Sequence, residues 1–167
     1  MPAGNTYEAI ASTTLGSTTQ TVTFSSIPST YTDLILIMSP ANSAGSTVRM
    51  QFNGDTNTNY SDTYLKGNGT TAASLRNSNQ AQLTLGDDAD PTGTLGESVW
   101  VVQIMNYSNT TTYKTVLTRA NVASADVEAV VGMWRSTSAI NQIDVKQGGS
   151  VTFSVGSTFS LYGIKAA

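Results

Sequence analysis

The sequence predicts an all-β protein of stacked antiparallel layers: a sandwich, a jelly roll or a barrel, with about eight to ten short strands. Three observations predict it. Apolar and polar residues alternate with a period of two through much of the chain, the spacing of a half-buried strand. Turn-forming Gly, Asn, Ser and Pro interrupt that alternation at intervals of about 8 to 12 residues. Charged residues make up 11% of the chain, well below the roughly 25% of an average domain, so uncharged Ser, Thr and Asn carry most of the polar positions.

The elements follow in order. After a short arm at residues 1–6, alternation begins at about Tyr7 to Ala11. Val22 and Phe24 alternate with polar neighbours ahead of Pro28. Asp33 to Met38 is apolar on both faces. Val48, Met50 and Phe52 alternate with Thr47, Arg49 and Gln51, and Asn53-Gly54 then closes the segment. That pair suits a hairpin-type turn, which needs positive φ at both central residues. Gly67-Asn68-Gly69 punctuates the chain, and Gln80 to Leu85 alternates up to Gly86. Val99 to Met105 is again apolar on both sides, with Trp100, Val102 and Ile104 on one and Val99, Val101 and Met105 on the other. Tyr113 to Thr118 reads as a strand. Ala120 to Trp134 holds Ala and Val suited to a short helix, but Val127, Ala129, Val131 and Met133 alternate, so a strand is expected from about Val127 after a helical turn. Ile140 to Val145 and Phe159 to Ile164 complete the series, with Gly148-Gly149 and Gly156 between them. No linker or change of composition divides residues 7–167, which are expected to form one β-sandwich domain.

The two doubly apolar segments carry the functional question. A strand that is apolar on both faces must be covered twice. Either loops pack over its second face, or that face lies against another subunit.

Bulk properties exclude several classes. A domain near 167 residues hides roughly 70% of its unfolded surface, enough for a real core. The net charge of −3 and the scattering of the 8 basic residues leave no cationic track for nucleic acid. The longest apolar run, Leu34 to Met38, is far short of the roughly 20 residues of a membrane span. Without His or Cys, the Zn²⁺ and copper sites that depend on imidazole or thiolate cannot be built, and no disulfide can form. No cofactor is expected.

The remaining candidate chemistry is sparse. Asp55, Asn57 and Asn59 open like a calcium loop, but Tyr60 stands where that loop needs Gly and Lys66 where it needs Glu. Asp87, Asp88 and Asp90 crowd three carboxylates into four residues, a weak cation site or a solvated loop. A paired-carboxylate glycosidase would draw on residues such as Glu97 and Glu128, although nothing in their spacing brings them together. No catalytic residue is assigned, and no enzyme is expected. Tyr60, Tyr64, Tyr107 and Tyr113 lie near loops rich in Asn and Thr, where exposed rings would offer a platform for sugars.

Five stretches resemble a known group: YTDLILIMS (31–39), VRMQFNGDTNTNYSDTYLKGNG (48–69), MNYSNTTTYKTVLTRA (105–120), GMWRSTSAINQIDV (132–145) and FSVGSTFSLYGIKAA (153–167). Together they resemble small virion proteins of tailed bacteriophages, including those of cyanobacteria. The resemblance implies a jelly-roll-like β-sandwich on the exterior of a phage particle, often a homotrimer, made in the host cytoplasm without a signal peptide. Such proteins serve as capsid decoration (cement) proteins or as tail-fibre and receptor-binding tips. Partners would then be further copies of the chain, capsid or tail proteins and, for a tip, host surface polysaccharide. The resemblance transfers no active-site residue.

With strand-like alternation starting almost at once and no heptads for a fibre shaft, the decoration role is the primary expectation. Residues expected at its contacts are Tyr7, Ile10, Leu34, Leu36, Trp100 and Met105.

Overall fold

The structure is a computed structural model that describes residues 6–42, 44–86, 91, 94–122 and 124–165. Twelve strands and no helix occur among them. In chain order they are β1 (Tyr7–Thr14), β2 (Thr21–Phe24), β3 (Asp33–Ser39), β4 (Val48–Phe52), β5 (Tyr60–Gly67), β6 (Ala72–Gln80), β7 (Leu83–Gly86), β8 (Trp100–Met105), β9 (Lys114–Asn121), β10 (Val127–Trp134), β11 (Ile143–Gln147) and β12 (Thr158–Ile164). They form two antiparallel sheets, one of eight strands in the order β1-β12-β3-β8-β9-β10-β5-β6 and one of four in the order β2-β11-β4-β7.

The pairings are nested. β5 pairs with β6, β4 with β7, β3 with β8, β2 with β11 and β1 with β12. Successive pairs fall alternately in the large and the small sheet, as when one long hairpin is rolled over itself. This connectivity is that of a jelly roll, with β9 and β10 inserted as a meander between β8 and β5. The expected fold class is therefore the one present, with twelve strands instead of eight to ten.

The core lies between the sheets, as the inward residues of each strand require. Leu34, Leu36 and Met38 of β3, Trp100, Val102 and Ile104 of β8, and Val48, Met50 and Phe52 of β4 are all buried. Phe52, Tyr60 and Trp134 pack as an aromatic cluster, with Tyr60 and Trp134 stacked at 6.1 Å between ring centroids. Two close approaches depend on glycine. A Cβ on Gly163 would lie 2.2 Å from Tyr31 Cγ, and one on Gly132 would lie 2.7 Å from Leu83 Cδ2.

Several local expectations are corrected. Asn53-Gly54 has the positive φ values (53° and 67°) of a type I′ turn, closed by Asp55 N–H donating to Phe52 C=O at 2.9 Å. It joins strands of different sheets, however, because β4 belongs to the small sheet and β5 to the large one. The Asn53 side chain anchors this corner: its carbonyl accepts from the N–H groups of Asn141 and Gln142, and its amide donates to Ala139 C=O. Before Val127 the chain makes a single turn and no helix among the described residues, with Ala125 N–H and Asp126 N–H both donating to Val122 C=O. β5 and β6 have no counterpart among the expected strands: nearly all residues of β6 are exposed and no alternation marks it, whereas β5 does alternate in burial over Tyr60–Leu65. The arm at residues 1–6 lies, apart from Thr6, outside the described residues.

Candidate functional site

The outward surface of the eight-stranded sheet is assembled by register. One row of side chains runs Ser74, Leu65, Ala129, Arg119, Val101, Ile37, Ser160 and Ser12 from edge to edge. The neighbouring row runs Arg76, Thr63, Val131, Leu117, Gln103, Ile35, Tyr162 and Ala9. Two-residue alternation forces this arrangement: since Trp100 and Val102 point inward, Val101 and Gln103 must point out. No layer lies over this face among the described residues. Leu65 and Val127 are 63% exposed, and Val131 is 54% exposed.

Two grooves cross the face. One, of about 600 Å³, is lined by Leu65, Val99, Val101, Val127 and Ala129 together with Arg119. The other, of about 340 Å³, is lined by Tyr7, Ile35, Ile37, Val101, Leu117 and Arg119. Arg119 separates them, and its guanidinium makes no hydrogen bond or ion pair among the described residues. Apart from Arg76 at the β6 edge, it is the sole charge in the two rows.

The expected contact residues divide by the direction in which they point. Leu34, Leu36 and Trp100 are fully buried against the small sheet and have no side-chain surface to offer a partner. They sit on the right strands in the inward positions; their outward neighbours are Ile35, Ile37 and Val101. Tyr7 is exposed, Met105 is half-buried on the outward face, and Ile10 packs partly against the core. The second face of β3 and β8 is thus partly covered within the protomer, since Ile35 is buried while Ile37 is exposed and Val101 half-buried. Leu65, Leu117 and Val131 were not expected. In the sequence they read as ordinary strand residues, and only the topology brings them beside Val101.

The tyrosine platform is not formed. Tyr60, Tyr64 and Tyr107 are buried, and only Tyr113 is exposed. The Tyr60 hydroxyl donates to Asp55 C=O at 3.1 Å and accepts from Phe52 N–H at 3.2 Å. Tyr107 donates to Pro28 C=O. Burial raises the pKa of both phenols.

Asp55 is a hydrogen-bond hub rather than the start of a calcium loop. One carboxylate oxygen accepts from Asn57 N–H at 2.9 Å and from the Asn57 amide at 2.6 Å. The other accepts from the Asn59 amide at 2.8 Å and from Trp134 Nε1 at 2.7 Å. The two Asn residues thus turn their donors toward Asp55, the opposite of what a shared cation would need. Partial burial raises the carboxyl pKa, but these four donors outweigh it and hold the group below the ordinary carboxylate range. Asp87, Asp88 and Asp90 lie outside the described residues.

Glu128 is buried opposite Lys66 in the β5–β10 register, and Glu97 is half-buried ahead of β8; both are engaged in interactions of their own. Lys114 is fully buried, with its ammonium donating to the carbonyls of Thr112 at 2.8 Å and Thr137 at 3.3 Å, and burial lowers its pKa. No helix among the described residues is long and apolar enough to cross a membrane. No protein-family model and no curated protein matches the chain.

Proposed function

We propose that this chain is a non-enzymatic structural protein of a phage particle exterior: a capsid decoration protein that associates with copies of itself and clamps the shell. The observation that carries the reading is the broad, nearly uncharged apolar face of the eight-stranded sheet. At about 4.8 Å between strands and about 6.8 Å between rows, the two rows from β1 to β5 span roughly 30 by 14 Å, or about 400 Å². A standard interface takes about 800 Å² from each partner, so these two rows supply about half of what a stable contact requires. A second copy fits such a face best, because a gently twisted sheet packs closely on another at about 10 Å.

The jelly-roll fold and the resemblance of five stretches to tailed-phage virion proteins support the placement on a particle. The alternative, a tail-fibre or receptor-binding tip that recognises host glycan, relied on an aromatic platform whose members are mostly buried. Electron microscopy of purified particles tests the proposal. Density for this fold is expected at lattice positions on the capsid, and particles lacking the chain should lose infectivity faster on heating. Density confined to the tail tip, or heat inactivation unchanged without the chain, would overturn it.

A further inference from the structure

We propose that the outward face of the four-stranded sheet holds a binding site for a tetrahedral oxyanion group, sulfate or phosphate, with Arg49 and Lys146 as its cationic residues. The site lies on the opposite sheet from the apolar face and does not rest on the self-association proposed above.

Register brings the two cations side by side. Thr21, Lys146, Arg49 and Thr84 form one row across all four strands, and Lys146 and Arg49 are direct cross-strand partners. Like charges placed opposite each other on a sheet repel and destabilise it. In a chain with only 8 basic residues and a net charge of −3, that pairing is costly unless an anion answers it.

Among the described residues no ion pair answers it, for neither cation forms one. Lys146 donates one of its three protons to the Gln51 amide oxygen, and Arg49 makes no hydrogen bond among the described residues. Among the described residues this face also carries Asp144, one row away. Its carboxylate accepts from Thr23 Oγ1 at 2.7 Å and from the Gln142 amide at 3.0 Å.

The surroundings are concave and rich in donors. A depression of about 300 Å³ is lined by Gln20, Thr21, Gln82 and the Gly148-Gly149 turn together with both cations. A second, of about 260 Å³, continues from Arg49 toward Asn77, Gln80 and Thr84. Arg49 Nε lies 3.9 Å from where a Cβ on Gly148 would stand, so its side chain runs over that turn. Both cations line this one depression, and a guanidinium with an ammonium beside it suits a compact anion with oxygens in several directions. The lining holds no aromatic or aliphatic group that would favour an apolar ligand.

The test titrates the full chain with sodium sulfate and with sodium phosphate at constant ionic strength, followed by amide NMR. Saturable shifts centred on Gln82, Gly148 and Gly149 are expected, with a dissociation constant on the order of 1–10 mM, since a few charge-assisted contacts supply about 3–4 kcal/mol. Arg49→Gln and Lys146→Gln should each weaken sulfate binding at least tenfold. Both side chains reach solvent, so the variants should fold; unfolding curves run alongside check this, and either variant alone suffices. Dextran sulfate distinguishes the source of the group. Tighter binding than inorganic sulfate at equal sulfate concentration marks a polymer-borne ligand, and equal binding marks the free ion; both support the site. Linear, unsaturated shifts with every anion, or affinity unchanged in both variants, would overturn it.

Discussion

Replacing Asp55 with Ala is expected to lower the unfolding free energy by about 3 kcal/mol, because hydrogen bonds to an ionised group contribute about 1.5–3 kcal/mol each and their sum is reduced by partial exposure and coupling. Asp55 accepts from four donors, and its removal leaves Trp134 Nε1 without a partner beside the aromatic cluster. The corner it closes also carries the chain from the small sheet to the large one. Urea unfolding measures the loss directly; a change under about 1 kcal/mol would show that the hub contributes little.

The same carboxylate gives a pH signature. Its folded pKa is lowered relative to the unfolded chain, so its stabilising contribution is complete above the unfolded value near pH 4 and fades as pH falls through the folded value. The Ala variant should therefore lose less stability than the parent between neutral pH and pH 3.

The second large effect concerns the apolar face. The double substitution Ile37→Lys and Val131→Lys should weaken self-association about 100-fold or more, equivalent to about 2.7 kcal/mol at 1.36 kcal/mol per tenfold, because each contact would then bury an unpaired ammonium. Both positions are substantially exposed in the protomer, at 41% and 54%. The isolated fold should accordingly survive, losing about 1 kcal/mol or less per site from strand preference. Sedimentation of the variant at several concentrations separates the two effects. A variant that assembles like the parent would remove this face from the contact.

Much of the fold was legible because burial on one side imprints a period of two. Val22 and Phe24 of β2, and Val48, Met50 and Phe52 of β4, alternate with polar residues in the sequence and are buried in the structure. β6 escaped notice because it has almost no buried side, so nothing selects for alternation along Ala72–Gln80. The Asn53-Gly54 signal specified the turn geometry correctly, but local backbone conformation cannot say whether the next strand stays in the same sheet.

The candidate site was half legible for a related reason. Two apolar faces on β3 and β8 announced a second covering, yet a period of two does not reveal which set points inward. Leu34, Leu36 and Trp100 stand on the doubly apolar strands, and theirs is the side of each that faces the core. The tyrosines misled in the same way: proximity to polar loops suggested exposure, while Tyr60 and Tyr107 bury their rings and send only a hydroxyl to a backbone carbonyl. The cation pair Arg49 and Lys146 stands nearly a hundred residues apart in sequence, and only the nesting of β4 beside β11 makes them neighbours.

Sedimentation equilibrium of the unsubstituted protein at micromolar concentration is the most direct test of the claim that the large sheet's outer face meets another copy. A single species at a whole multiple of the 17.5 kDa chain mass, three being the multiple implied by the phage resemblance, is the expected result. A 17.5 kDa particle that stays monodisperse at every concentration would contradict it.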